Sequence, residues 1–316
     1  MIPLKIQDES IVSDFVEKYS ENVYDRIQNI LNNGIPYFKN KKKKFRRLTN
    51  KQKKTIKELF TEEKIKNLMS LTPKEMIDEI TELKKEYKEL HNKNSLVYQA
   101  VYNAFVSYTY EKKFNKFDFI KSLDIKTCPY CNRNYIYALD KNKKVKPQID
   151  HFYPKHIYPY LGMSFYNLIP SCAECNGFNS KGKIDSFEVG LKNPYEIKYD
   201  DFKFNFDISS INIVNSKIDE NSIKTFFDKK LEANDKIFNL EILYEEHRDI
   251  IIELYQKSKL IYPDDFFVSL EKDIGISLTK EEIYKLKTCG YFNNEDLHKR
   301  PLSKLIKDIS EELGLI

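Results

Sequence analysis

Two short cysteine pairs, Cys128/Cys131 and Cys172/Cys175, contain four of the five cysteines in the sequence. The pairs are separated by 40 residues, so each can bring two thiolates to one tetrahedral zinc ion through a tight turn while the intervening chain folds over it. Because four thiolates leave no position for water, we expect the zinc to be structural and to contribute to folding. Cys289 has no such partner, and we expect a buried thiol there.

Polar side chains that could perform catalysis lie between the pairs and directly after them. They are Asp150, His151, Asn167 and Asn176. Carboxylates, imidazoles and amides are the groups that acid–base and metal chemistry use, and no other stretch of the sequence combines them so densely. The stretch 128–183 is therefore the predicted functional centre.

The elements that must position these residues are two strands joined by a polar turn, followed by a short helix. The pattern predicts a strand over 135–139, a turn over 140–144, a second strand over 145–150 and a helix over 171–183. The second strand brings Asp150 and His151 to its end. The helix places Asn176 one residue beyond the second cysteine pair.

A basic segment, residues 39–57, holds eleven Lys and Arg residues and no acidic one, whereas the rest of the chain has 42 basic and 48 acidic residues. The net charge of +5 is therefore concentrated in one patch. Such a patch is typical of a surface that tracks phosphates, although a solvated charged loop has the same composition. The pattern leaves open whether the segment is a loop or the polar start of a helix.

Helical periodicity surrounds the central stretch. It marks residues 8–32, 73–90, 95–112, a C-terminal region from about 224 onward, and 301–313. Thr72 and Thr279 are each followed three residues later by glutamate, so both predict a helix start with a capping box. Alternation predicts two short strands, at 202–206 and 211–214. His247 falls on a helical face, where we expect a packed or surface side chain.

Together these elements predict an α+β protein that is mostly helical. It would have a helical region over 1–120, a small zinc-stapled ββα core over 121–200, and short strands followed by helices over 201–316. The cysteine pattern favours a reducing compartment, and no apolar run approaches the ~20 residues that cross a bilayer. We therefore expect a cytoplasmic protein without a membrane anchor.

The residues of the central stretch resemble the HNH endonuclease family. The likeness rests on the Asp150-His151 pair in DHFYPK, on Asn167 in SFYNLIPSC, and on Asn176, which directly follows Cys175. In this family a ββα-metal core of treble-clef type carries an Asp-His pair, a middle Asn and a third His or Asn. The resemblance therefore implies a nuclease core built around the predicted zinc site.

The resemblance also implies a role for each matching position. His151 would be the general base that deprotonates the attacking water, and Asn167 would brace the loop that holds it by bonding to backbone. Asp150 would ligate one catalytic divalent metal, with Asn176 as the second protein ligand. Asn179 is the alternate ligand, because the Lys-Gly pair of the family comes slightly later here. An amide ligand in place of histidine favours Mg²⁺ or Mn²⁺.

Several basic residues are candidates for contacts with nucleic-acid phosphates, and each could also be merely solvated. They are Lys41, Lys42, Lys43, Lys44, Arg46 and Arg47 in the basic segment, and Arg133, Lys155 and Lys181 near the central stretch. His156 could also face phosphate, but we expect it to pack.

The same motifs are most similar to the HNH proteins of bacterial anti-phage systems, namely Septu-type and retron-linked nucleases that work with an ATPase. This likeness implies hydrolysis of nucleic acid, DNA in the first instance, in antiviral defence with an ATPase partner. The chain has no Gly-rich phosphate-binding loop of its own. The alternative is a non-catalytic four-cysteine module that binds nucleic acid or a protein. The choice between DNA and RNA stays open.

Overall fold

The computed structural model describes residues 1–139, 148–208, 222–227, 229–258, 269, 272–273, 275 and 277–315. Within these residues, helices dominate and the strands form three two-stranded antiparallel sheets. This architecture agrees with the predicted mostly helical α+β class.

The first element is a long helix, α1 (Ser10–Asn33), whose buried residues recur at helical spacing. Gly34 ends it with a φ of 94°, and its N–H donates to the carbonyl of Ile30 at 2.8 Å. A Cβ at Gly34 would lie 2.6 Å from the carbonyl oxygen of Arg46, so only glycine allows the backbone at Arg46 to approach this closely. The predicted helix over 8–32 and its stop at Gly34 are confirmed.

The basic segment begins as a β-hairpin, which neither of the two predicted alternatives included. β1 (Ile35–Lys39) pairs with β2 (Lys42–Arg46). Asn40 and Lys41 form the tip with positive φ angles of 52° and 59°, as a two-residue hairpin turn requires. The end of the segment is helical, because Thr49 starts the next helix with a capping box.

Short helices complete the N-terminal region. They are α2 (Asn50–Leu59), α3 (Glu62–Ser70), α4 (Pro73–Glu86), α5 (Leu96–Val101) and α6 (Lys116–Ser122). A π-helix, Tyr102–Lys113, continues α5 directly. The predicted capping box at Thr72 is present, since Glu75 Oε2 accepts the Thr72 N–H at 2.8 Å. The predicted helix over 95–112 is confirmed, with the π-helix as its larger part.

The central strands differ from the predicted pairing. β3 (Gln148–His151) pairs with β4 (Leu168–Ser171), not with 135–139. Of the predicted first strand only Tyr135 makes a β-bridge, with Thr127. The predicted turn at 140–144 and the start of the second strand lie outside the described residues.

The helix predicted over 171–183 is not formed; the chain runs there through consecutive turns. The physical reason is the content of glycine and asparagine, which lowers the helical propensity of the segment. Gly182 has a φ of 45°, a conformation that a helix does not contain.

The C-terminal region starts with strands. β5 (Phe204–Ile208) pairs with β6 (Ile223–Phe227), so the predicted helical onset at residue 224 is wrong. The predicted strand at 211–214 lies outside the described residues. The helices that follow are α7 (Glu232–Phe238), α8 (Leu240–Glu245), α9 (Arg248–Gln256), Lys280–Thr288 and Ser303–Glu312. The capping box at Thr279 is confirmed, whereas Cys289 is exposed and not buried.

One hydrophobic core runs through the described residues, from Met1 to Leu315. Side chains bridge the predicted regions: Ser164 donates to the Leu68 carbonyl at 2.5 Å, and Lys84 pairs with Glu188 at 2.5 Å. The division at residues 120 and 200 therefore stays a prediction. Among the described helices, none is both long and apolar enough to cross a membrane.

Candidate zinc and nuclease site

The four cysteines of the two pairs converge. Their Sγ atoms all lie within 4.8 Å of one another, and Cys131 Sγ is 3.9 Å from Cys172 Sγ. Tetrahedral zinc with bonds of ~2.3 Å would hold its sulfurs ~3.8 Å apart. The cluster therefore fits a structural zinc ion. Among the described residues it is the one group of three or more His, Cys, Asp or Glu side chains that could share a metal.

Backbone N–H groups are directed at the sulfurs of this cluster. Arg133 N–H donates to Cys131 Sγ at 3.3 Å, and Cys175 N–H donates to Cys172 Sγ at 3.4 Å. These bonds stabilise thiolates, while burial raises the pKa of Cys128 well above its usual value. A zinc ion at the centre of the cluster would supply the positive charge that four buried thiolates need.

Tyr130, within the first cysteine pair, links the zinc cluster to Asp150. Its ring is fully buried and stacks on Phe238 at 4.4 Å, and its hydroxyl donates to Asp150 Oδ2 at 2.7 Å. Burial, and then the charge of Asp150, raise the pKa of Tyr130 well above its usual value, so the hydroxyl keeps its proton. The turn of the first cysteine pair, residues 128–132, is the candidate zinc-binding turn, and it therefore fixes the orientation of the Asp150 carboxylate near the end of β3.

Lys181 forms a buried ion pair with the same carboxylate. Its Nζ lies 3.1 Å from each Asp150 oxygen and donates to the His151 carbonyl at 2.9 Å. The lysine side chain is 0% exposed and Asp150 is 4% exposed. This differs from the phosphate contact expected for Lys181, because an ammonium so deeply buried needs a counter-charge within the protein, and Asp150 supplies it.

His151 is oriented by a backbone carbonyl. Its Nε2 lies 3.1 Å from Gly162 O. A carbonyl can only accept, so Nε2 carries the hydrogen and Nδ1 is left with a free lone pair. A Cβ at Gly162 would lie 2.8 Å from Val106 Cγ2, which explains why glycine stands where the chain passes the π-helix.

The imidazole of His151 is neutral in this environment. The ring meets the edge of Tyr110, with centroids 4.4 Å apart, and is only 7% exposed. Burial, and then the positive charge of Lys155, lower its pKa from 6.5 to about 3. The neutral ring is the form that can accept a proton.

The Asn167 side chain holds the loop after His151 at Tyr153 and Leu161. Its Oδ1 accepts from Tyr153 N–H at 2.7 Å, and its Nδ2 donates to the carbonyls of Tyr153 at 3.1 Å and Leu161 at 2.9 Å. Asn167 is 0% exposed, so these three bonds satisfy its buried amide. The side chain has the backbone contacts that a bracing residue needs; its catalytic role stays a prediction.

Asn176 and Asn179 lie on the turns after the second cysteine pair. Asn176 is half-buried, and its Nδ2 donates to Gln148 Oε1 at 2.7 Å. Gln148 precedes Asp150 by two residues on β3, so the two side chains share a face of the strand. Asn179 is exposed. The structure thus brings Asn176 beside the strand of Asp150, and the choice of metal ligand stays a prediction.

Two lysines flank Tyr110 beside His151. Lys116 Nζ lies 4.5 Å and Lys155 Nζ lies 4.7 Å from the centre of the Tyr110 ring. Lys155 also pairs with Glu111 at 3.5 Å. Lys116 and Tyr110 could not be selected from the sequence, because their approach to His151 depends on how the π-helix and the start of α6 pack beside the loop after β3.

Arg133 and the predicted basic segment occupy different environments. Arg133 is half-buried, and its Nε donates to His247 Nε2 at 3.1 Å, which ties α9 to the zinc cluster. Its Nη1 lies 3.8 Å from a Glu174 oxygen. By contrast, Lys41, Lys42, Lys43, Lys44, Arg46 and Arg47 are all exposed on or after the hairpin. The hairpin residues are therefore accessible to an anionic partner.

The C-terminal region also packs on the zinc-binding turn. Asn132, with a φ of 51°, accepts from the backbone N–H of Leu302 through its carbonyl and from that of Lys304 through Oδ1. Tyr244 donates to the Cys131 carbonyl. Asn132 is a structural residue that the sequence did not single out, although an asparagine after a Cys-x-x-Cys pair is suited to a left-handed position.

Comparison with known proteins gives one partial similarity. A segment of 67 residues is 40% identical to a "Septu protein PtuB" of Bacillus thuringiensis. It covers 21% of this chain and 23% of PtuB, so the similarity extends over less than a quarter of either protein. No protein-family profile matches the chain, and no solved structure matches it.

Proposed function

We propose that the chain is a metal-dependent endonuclease of the HNH type that hydrolyses phosphodiester bonds in DNA. The observation that carries this proposal is the state of His151, which is neutral and held through Nε2, so that Nδ1 is the nitrogen that can accept a proton. A base of this kind, adjacent to Asp150 at a strand end and close to a four-cysteine cluster, has the residue types and order that the family resemblance implies.

His151 would take the proton of the attacking water at Nδ1. Its Nε2–H bond to the Gly162 carbonyl keeps the ring in place as positive charge develops on it. Asn167 would fix the turn that follows the base through its bonds to Tyr153 and Leu161. An anionic phosphate near Lys116 and Lys155 would offset their positive charge and make protonation of the imidazole easier.

Asp150 and Asn176 would hold the catalytic ion, with Asn179 as the alternate to Asn176. Oxygen donors of this type fit a hard ion such as Mg²⁺ or Mn²⁺. A carboxylate has about four acceptor positions, and the hydrogen bonds from Tyr130 and Lys181 use two of them in this structure. The bound ion would stabilise negative charge on the reacting phosphate and the leaving oxygen.

We further propose a role in anti-phage defence together with an ATPase partner. Support comes from the similarity to the Septu protein and from the amino-acid sequences of the motifs around Asp150 and Asn176. An ATPase would have to be a separate protein, because the sequence contains no Gly-rich phosphate-binding loop.

One feature favours the alternative, a zinc module that binds without cutting. The ion pair between Asp150 and Lys181 is fully buried, as in a structural core. In that case the central stretch would be a folded platform, and its carboxylate would serve stability alone. Cleavage assays separate the two functions.

The test uses purified protein with zinc retained, incubated with supercoiled plasmid in Mg²⁺ or Mn²⁺, alone and with a candidate ATPase and ATP. We expect nicking by the wild type and a loss of about 10²-fold or more in His151→Ala, the typical contribution of a general base. His156→Ala is the matched control on the same loop. Equal cutting by wild type and His151→Ala would exclude His151 as the base, and no cutting under any condition would favour the binding module.

A further inference from the structure

The pairing register of the basic hairpin divides its side chains between two faces. Residues directly opposite each other share a face. One face carries the pairs Pro36/Phe45 and Phe38/Lys43, and the other carries Tyr37/Lys44 and Lys39/Lys42. The hairpin therefore has an aromatic face and a cationic face, although its composition is basic throughout.

The aromatic face is open to water. Phe38 is 76% exposed and Phe45 is 45% exposed, so neither ring is used in the core. The two positions are diagonal neighbours across the strands, about 7 Å apart. Lys43 Nζ lies 5.3 Å from the centre of the Phe45 ring. Two exposed rings with a cation between them form a platform for flat, electron-rich groups that lie next to negative charge.

The cationic face has a different organisation. Arg46 packs over the Tyr37 ring at 4.7 Å, which covers the aromatic residue of this face. Lys39, Lys42 and Lys44 remain exposed beside it. No acidic side chain occurs between residues 39 and 57 to neutralise them.

The base of the hairpin is connected through α5 to the loop that follows His151. Arg46 Nη1 donates to Gln99 Oε1 on α5 at 2.7 Å. The preceding residue, Tyr98, donates through its hydroxyl to the carbonyl of His156 at 3.0 Å. His156 is five residues after His151, so α5 joins the hairpin to the loop that carries the proposed base.

We propose that the β1–β2 hairpin binds single-stranded DNA, with bases stacked on Phe38 and Phe45 and phosphates along its lysines. The proposal rests on the nuclease function above and specifies the form of its substrate. Stacking on aromatic rings together with a basic track is how proteins bind single strands without sequence preference. A duplex keeps its base faces stacked on one another, so it could use the lysines but not the rings.

Binding is measured with full-length His151→Ala protein and no added divalent ion, so that cleavage does not interfere. The probes are fluorescent oligothymidine of about 20 nucleotides, the matched duplex, and oligouridine RNA of the same length. The variants are Phe38→Ala with Phe45→Ala, Phe38→Leu with Phe45→Leu, and Lys42→Gln with Lys44→Gln. Ile77→Ala, at another exposed apolar side chain, is the control.

We expect the wild-type hairpin to prefer oligothymidine over the duplex. Both phenylalanine double variants should weaken oligothymidine binding by about 5- to 150-fold per lost ring, since leucine keeps apolar area but offers no ring face. The salt dependence should not change, because neither variant removes a positive charge. The lysine variant should reduce the slope of log affinity against log salt by ~1.4. Thermal unfolding verifies that each variant is folded.

Three results would overturn the proposal: unchanged oligothymidine affinity in both phenylalanine variants, tighter binding of the duplex, or tighter binding of the RNA. These results are independent of catalysis. If the hairpin variants behave as expected while the plasmid assay detects no cleavage, the nuclease function fails and the binding site stands. If the wild type cuts plasmid but both phenylalanine variants bind oligothymidine as tightly as the wild type, the nuclease function stands and the proposed binding site fails.

Discussion

Tyr130 and Asp150 are joined by a hydrogen bond of 2.7 Å between the tyrosine hydroxyl and carboxylate Oδ2. Tyr130 stands between two cysteines of the zinc cluster, and Asp150 is at the end of β3. The bond makes the orientation of the proposed metal ligand depend on the fold of the zinc-binding turn. One side chain therefore links the four-cysteine cluster to the proposed catalytic site.

Tyr130→Phe removes this bond and keeps the ring that stacks on Phe238. We expect unfolding free energy to fall by about 1.5–3 kcal/mol, the range for a hydrogen bond to a charged group. Plasmid cleavage should also fall, while zinc content stays at one ion per chain. Denaturant titration, zinc analysis and the cleavage assay measure these effects. Tyr137→Phe, at an exposed ring, is the control; equal behaviour of the two variants would argue against the coupling.

Cys131→Ser tests the zinc cluster itself. With one thiolate lost, we expect zinc content to fall well below one ion per chain and amide hydrogen exchange to increase over residues 128–183, because metal binding energy contributes to folding. Cys289→Ser is the matched control, since Cys289 is exposed and remote in sequence from the cluster. Retention of zinc by Cys131→Ser with unchanged exchange would contradict a four-cysteine site.

The local parts of this architecture could be predicted, and most long-range parts could not. Each Cys-x-x-Cys pair and the capping boxes at Thr72 and Thr279 are short-range signals, and the structure agrees with them. The convergence of the two pairs is the one long-range contact that could be predicted, because a shared zinc ion requires it. The partner of β3 was missed because Leu168–Ser171 is a four-residue strand containing Pro170, which carries no clear alternation.

The burial of Lys181 in the candidate site could not be predicted either. From the sequence we expect a phosphate contact or a solvated side chain, whereas the Lys181 ammonium is buried against a carboxylate 31 residues earlier in the chain. Charge type was visible in the sequence, but burial was not, because burial depends on how the turns after Cys175 fold back onto β3. Lys116 beside His151 was missed for the same reason.

Asn167→Ala tests the bracing of the loop after His151. The change removes three buried hydrogen bonds and leaves the Tyr153 N–H and the Tyr153 and Leu161 carbonyls without this partner. We expect a loss of about 2–4 kcal/mol in unfolding free energy, since unsatisfied buried groups cost ~1–3 kcal/mol each and are partly relaxed. Asn167→Asp keeps the acceptor for the Tyr153 N–H but buries a carboxylate whose second oxygen faces the Tyr153 and Leu161 carbonyls, so its loss should be at least as large as that of Asn167→Ala. Denaturant titration of the three proteins gives the order.

Lys181→Met tests whether the buried ammonium stabilises the protein through Asp150. Removal of one partner leaves a buried carboxylate without its counter-charge, and such changes cost ~3–5 kcal/mol. In the double variant with Asp150→Asn the charge is gone, so part of this loss should be recovered. Lys183→Met, at an exposed lysine two residues later, should be nearly neutral. Strictly additive losses in the double variant, measured by denaturant titration, would show that the pair at 3.1 Å carries no coupling energy.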